Sequence, residues 1–199
     1  MKATNAGARD SSVLELIRER RSVRDFKPES VPRDAVERWL EAARWAPNHR
    51  LTEPWRFFVL SADGQARAEV ARLYREHTFE INSALPDAKR ASVADANRQE
   101  ALDAPLLVFA YSVPGDNEEV TRENYAAVAC AVQNFQLAAW AEGYAAGWST
   151  GGITRHPRLP GALGADPSWD LVGALFVGRP ATAPRAQRAA AVDDCTRWL

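Results

Sequence analysis

Four arginines, Arg18, Arg20, Arg21 and Arg24, stand close together around Ser22. A guanidinium offers planar, forked donors that match phosphate oxygens, and a serine hydroxyl with neighbouring backbone N–H groups completes an anion pocket. The same cluster also reads as a solvated basic face at a helix C-terminus, where the helix dipole favours cations. The net charge is −1, so no global basic field draws in nucleic acid or an anionic membrane. Any anion binding must come from this local cluster. A second polar segment, Asn48-His49-Arg50, lies in a loop bounded by Pro47 and Pro54. A third, Gly147-Trp148-Ser149-Thr150-Gly151-Gly152, is rich in glycine, which lets backbone approach a flat ligand or simply makes a turn. Cys130 and Cys195 lack CxxC spacing, and His49, His77 and His156 lack ligand spacing, so no disulfide framework and no metal site are expected. There is no GxGxxG after a strand, no GxSxG elbow and no HExxH.

The elements that must position these residues follow from periodicity and punctuation. Apolar residues make up 46% of 199 residues and charged ones 26%, the balance of one soluble domain. Residues 1–10 read as a disordered lead-in and 11–199 as the domain. With no apolar run of signal-peptide or membrane-spanning length, a cytoplasmic protein is expected. Ser11-Ser12 cap a helix over about 12–20. Pro32 opens a second near 32–45, which stops before Pro47. Trp55–Ser61 reads as a strand. Residues 63–102 read as helical, charged and largely exposed, with a break near Leu85-Pro86. The run 105–112 suits a buried strand. From Glu118 to Tyr144 the chain is a helix apolar on nearly every side, carrying Tyr125, Val128, Val132, Phe135, Leu137 and Trp140. A chain of this length has little room to bury such a helix, so a dimer spine is expected. A short strand over 145–149, a helical turn near 157–164 and a strand over 169–177 complete the pattern. Strands separated by helices indicate an α/β or α+β class.

Arg20-Arg21-Ser22-Val23-Arg24-Asp25-Phe26, followed by Ala46-Pro47-Asn48-His49, then Pro54-Trp55 and Phe57-Phe58-Val59, resembles the nitroreductase superfamily, in its compact branch with an Ala-Pro-Asp/Asn-His loop. The match is close over 14–60, looser over 104–112 and 124–180, and weak over 61–103. The resemblance implies an α+β three-layer sandwich: a central, mostly antiparallel sheet flanked by helices, in an intertwined homodimer with FMN at the interface. It places Arg20, Arg21 and Ser22 on the FMN phosphate and ribityl chain, with Arg24 as a further basic position. Trp45 and His49 approach the flavin from the partner subunit, while Asn48 and Arg50 face substrate. Trp148, Ser149, Thr150 and Gly151 cross one edge of the ring, where backbone N–H groups stabilise negative charge on the reduced flavin. A basic residue after Gly178-Arg179-Pro180 contacts the phosphate. Arg185 and Arg188 are both candidates, and spacing favours Arg188. Glu53 and Leu51 stand where many members have glutamine and asparagine.

The implied activity is ping-pong reduction of a small-molecule electron acceptor, such as a nitroaromatic or quinone, with NADH or NADPH as donor. The chemistry is centred on the flavin, with no catalytic side chain assigned. Alternatives on the same fold are flavin reductases, dehalogenating enzymes, azoline oxidases and flavin-degrading enzymes. A flavin- or anion-binding module without enzymatic activity is the alternative of another class. No nucleic-acid or membrane partner is expected.

Overall fold

A computed structural model describes residues 12–62, 64–183 and 191–199. Helices α1 (Val13–Glu19) and α2 (Arg33–Arg44) lead into strand β1 (Trp55–Ser61). Next come α3 (Gln65–Ile81), α4 (Asp87–Asp103), β2 (Leu106–Ser112), α5 (Glu118–Ala141), β3 (Ala145–Ser149), α6 (Leu159–Leu163) and β4 (Asp170–Gly178). Ser12 caps α1 through a reciprocal capping box with Glu15, so the predicted start is set by local chemistry. Pro86 precedes α4 and separates it from α3, as the break near Leu85-Pro86 predicts.

The four strands form one sheet in the order β1-β2-β4-β3, with every pairing antiparallel. Central β2 is buried along its whole length, and its side chains alternate. Leu106, Val108 and Ala110 face α2 and α5. Leu107, Phe109 and Tyr111 face the opposite layer, which α3, α4 and α6 cover. This is a three-layer sandwich with the sheet in the middle.

The alternation breaks once, on β4. Val172 is skipped between the Ala110–Gly173 and Tyr111–Leu171 pairs, forming a bulge. The Trp148 indole fills the space this creates. Its Nε1 donates to Val172 O at 3.2 Å, and a Cβ on Gly173 would lie 2.0 Å from it.

Two expectations change. Helices α3 and α4 are less exposed than their charge suggests: Val70, Ala71, Leu73 and Ala101 enter the core. Arg67 is itself fully buried, donating to Ala101 O, Ala104 O and Leu60 O. Burial pulls its guanidinium down to about 10, still charged at neutral pH. These bonds tie α3 to the end of α4 and the end of β1. The second change concerns α5. The single chain already buries Val128, Ala131, Val132, Phe135 and Ala139 of this helix against α2 and the sheet. Trp39 closes that layer with an edge-on contact to Phe135. Apolar positions all round a helix do not by themselves demand a second subunit, because a neighbouring helix and a sheet face cover most of its circumference. Tyr125, Ala126 and Cys130 stay open to solvent. No helix among the described residues is long and apolar enough to cross a membrane.

Candidate functional site

Helix α1 ends at Arg20, whose backbone N–H still bonds to Leu16 O while its ψ of 131° turns the chain extended. Arg20 to Asp25 then run in extended form along the sheet. The segment is pinned at its far end by a bridge between Phe26 and Pro180, by Lys27 N–H to Arg179 O and by Ala181 N–H to Asp25 O. At its centre it lies against β3. A Cβ on Gly147 would come 2.3 Å from Val23 O and 2.7 Å from Arg24 Nε. Only glycine permits this approach, so the arginine cluster and the glycine-rich edge are contiguous.

Within the cluster the side chains take different roles. Arg20 reaches Gln136 of α5 at 3.5 Å. Arg21 folds back to donate to the carbonyls of Arg18 and Arg20, capping the end of α1. Ser22 is exposed. Arg21 and Lys27 line a cleft of about 480 Å³ with Glu19, Trp140 and residues 180–183. Arg185 and Arg188 lie outside the described residues. Arg24 turns the other way. Its guanidinium sits 3.9 Å over the Phe176 ring and pairs with Glu100 of α4 at 3.2 Å. Tyr74 of α3 shares that carboxylate; burial first, and then the Glu100 charge, push its hydroxyl up to about 12. Tyr74 also touches the backbone at Gly152, where a Cβ would lie 3.0 Å from its ring.

The glycine-rich edge presents backbone more than side chains. The Trp148 indole is spent on β4, as above. Thr150 and Gly151 are exposed, and Gly151 N–H makes a long bond, 3.3 Å, to Ser149 Oγ. Thr150 O accepts from Arg155 Nε at 3.3 Å. Behind this turn, Glu76 of α3 accepts from Arg158 and faces His156 Nε2 at 3.5 Å.

The loop between α2 and β1 is built differently. Asn48 holds it from within: its Oδ1 accepts Glu53 N–H at 2.7 Å and its Nδ2 donates to Thr52 Oγ1 at 3.0 Å. Thr52 Oγ1 donates to Asn124 Oδ1 at 2.7 Å, and Asn124 Nδ2 donates to Val113 O. Arg50, Leu51 and Glu53 have φ of 66°, 52° and 45°, conformations that L residues adopt only when their surroundings force them. Glu123 of α5 engages both His49 and Arg50. Its Oε1 lies 2.8 Å from His49 Nδ1 and its Oε2 accepts Arg50 Nε at 3.3 Å. Trp45 is 79% exposed, and its Nε1 donates to Glu41. Its indole flanks a hollow of about 280 Å³ that Asn48, Leu51 and Trp55 also line.

The chain therefore lays the Arg20–Arg24 segment against β3 through Val23, Arg24 and Gly147, just before Trp148, Ser149, Thr150 and Gly151. It does not bring Trp45, Asn48, His49 and Arg50 to them. The two groups dock on α5 at Gln136 and Glu123, thirteen residues apart, or about 20 Å of helix. Sequence reasoning missed Glu123, Asn124, Glu100 and Tyr74. No local pattern singled them out; in the sequence all four read as ordinary surface residues.

Residues 17–179 match the nitroreductase family. A nitroreductase-like family protein from Bacillus cereus superposes with a TM-score of 0.82 at 27% identity, covering 98% of this chain and 99% of that one. A proposed nitroreductase from Desulfovibrio desulfuricans, solved in complex with FMN, gives a TM-score of 0.72 at 26% identity, covering 96% and 98%. Among curated relatives, YfhC of Bacillus subtilis (strain 168), whose name proposes an NAD(P)H nitroreductase, is 29% identical over 92% of both chains. A 5,6-dimethylbenzimidazole synthase of Rhodobacter capsulatus is 28% identical over 85% of this chain and 84% of its own.

Proposed function

This chain belongs to the nitroreductase family, and from that premise we propose that it is an FMN-dependent oxidoreductase. It takes reducing equivalents from NADH or NADPH and passes them to an electron-poor acceptor, a nitroaromatic or a quinone, in a ping-pong cycle. The observation that carries this reading is the contact of the arginine segment with Gly147. It sets the segment that carries Arg20, Arg21 and Ser22 alongside the strand leading into the glycine-rich turn, which suits a ligand with a phosphate at one end and a flat ring at the other.

FMN supplies the hydride chemistry when bound. The chain's own residues fit it by donor type. Arg20, Arg21 and Ser22 hold the phosphate, with Lys27 lining the same cleft and Arg188 as the further basic contact. Arg21 gives up carbonyl contacts at the end of α1 to do so. Arg24 serves from behind: paired with Glu100 and stacked on Phe176, it braces the strand. The backbone at Ser149, Thr150 and Gly151 borders the ring and offers N–H donors where negative charge gathers. Trp148 contributes through its strand position, its indole being committed to β4.

The loop residues Trp45, Asn48, His49 and Arg50 act in a second copy's site. Their distance from the arginine segment within one chain supports this, as do exposed apolar residues on α1: Val13 and Leu14 are 70% and 63% exposed. In the homodimer, Trp45 presents an aromatic face and Asn48 and Arg50 flank the acceptor.

The test is reconstitution of purified protein with FMN. NADH or NADPH alone should bleach the flavin absorbance without oxygen, and a quinone or nitroarene should restore it. No bleaching with either donor sinks the reading. One rival on the same fold is consumption of the flavin itself with oxygen. Mass spectrometry of the flavin after turnover should find it intact; a degraded ring would select the rival.

A further inference from the structure

The loop at residues 48–53 carries a histidine and an arginine, yet neither stands free to meet an anion. Glu123 holds His49 Nδ1 at 2.8 Å and Arg50 Nε at 3.3 Å, and Glu119 stands 3.5 Å from the Arg50 guanidinium. The left-handed backbone at Arg50 and Leu51 reverses the chain, and the Arg50 side chain turns back onto α5. Arg44, beside Trp45, is paired with Glu41 at 3.0 Å. Arg122, one turn before Ala126, is paired with Glu118 at 2.9 Å. Glu53 adds a further negative charge within the loop. Thus Arg44, His49, Arg50 and Arg122 all have carboxylate partners, and acidic residues outnumber them.

We propose that Glu123 is a specificity-determining residue. By engaging both His49 and Arg50 it leaves the loop without attraction for anions, and selects acceptors that carry no negative charge over carboxylated ones of the same shape. The inference rests on the functional reading above, in which this loop borders the acceptor. Glu123 touches neither cofactor nor acceptor; it acts through His49 and Arg50. The Arg50 pair exists only while the carboxylate is present, and its removal releases a guanidinium beside the acceptor. The specificity then shifts by charge, which mere loosening of the loop does not produce.

The experiment uses the FMN-loaded full-length protein and the isosteric pair 4-nitrobenzamide and 4-nitrobenzoate. The wild type should favour the amide. Glu123→Gln should raise the benzoate-to-benzamide ratio of kcat/KM by about fivefold to tenfold, through KM for the benzoate, as one gained charge-assisted contact predicts. Glu123→Asp should keep the wild-type ratio. Arg50→Gln should lower the ratio, and in the Glu123→Gln, Arg50→Gln double variant most of the rise should vanish. If Glu123→Gln changes both substrates equally, the inference is overturned. If that variant fails to retain flavin, Arg50→Gln decides alone, and a wild-type ratio there overturns it. A wild type that reduces no acceptor overturns the functional reading itself, an outcome distinct from an active enzyme with an unmoved ratio.

Discussion

The two halves of α5 hold two polar regions by different physics. Near Gln136, the arginine segment is placed by backbone: a glycine contact, a bridge to Pro180 and main-chain hydrogen bonds at Lys27 and Ala181. Near Glu123, the loop is placed by side chains: an Asn48 staple, an Asn124 clamp and ion pairs on one carboxylate. Backbone placement does not depend on any one side chain, and single polar substitutions do not move it. Side-chain placement is easily retuned, because each support is one residue. The first suits an invariant cofactor, and the second a substrate that differs among relatives.

The largest expected effect strikes the first region's ligand rather than its shape. Arg20→Ala with Arg21→Ala should weaken FMN binding by at least a hundredfold, since each charged contact contributes about 1.5–3 kcal/mol. Fluorescence titration measures it, and unchanged affinity would break the assignment of this region to the phosphate. Gly147→Val attacks the placement itself. Its Cβ meets backbone at Val23 that cannot yield, so we expect a stability loss of about 1–3 kcal/mol and weaker FMN binding, read by thermal melting and titration. In the second region, Asn124→Leu should leave Thr52 and Val113 O without their partner and free the loop. The expected cost is about 1–3 kcal/mol, with faster hydrogen exchange at 48–53 and FMN affinity unchanged. A change in FMN affinity of the same size there would erase the contrast between the regions.

The smallest effect is on pH dependence. His49, by its hydrogen bond and then its charge, together with Arg50, holds the Glu123 carboxyl below the ordinary glutamate range. A lowered acid pKa contributes stability that is present above the ordinary value and is lost as pH falls through the lowered one. Loop protection, measured against the intrinsic exchange rate at each pH, should therefore fall as the solution is acidified through and below the usual glutamate range, while Glu123→Gln shows low protection throughout. A loop equally protected at both pH values would show that the ion pairs hold nothing.

Much of the fold was legible because local signals agreed. Trp55–Ser61 and Ala145–Ser149 are strands at their expected bounds, and Pro86 separates α3 from α4 as proline geometry requires. The burial of α3 was not legible. Val70 and Leu73 are sparse among charges, and Arg67 is buried because three carbonyls at chain ends converge on it. No local pattern announces such convergence. For the site, residue types identified the arginine cluster, the loop and the glycine-rich edge. Their partners were hidden, since Glu100 lies 76 residues from Arg24 and Glu123 lies 74 from His49.

By itself, then, the sequence determined which candidate residue types stand at which positions, because donor type, glycine and proline act locally and survive any folding context. Only the tertiary structure decided which of them meet. Val23 and Arg24 lie against Gly147, while His49 and Arg50 turn to a carboxylate about 20 Å of helix away from Gln136. Contacts across so many residues are set by how the layers stack on the sheet, and no spacing along the chain records that.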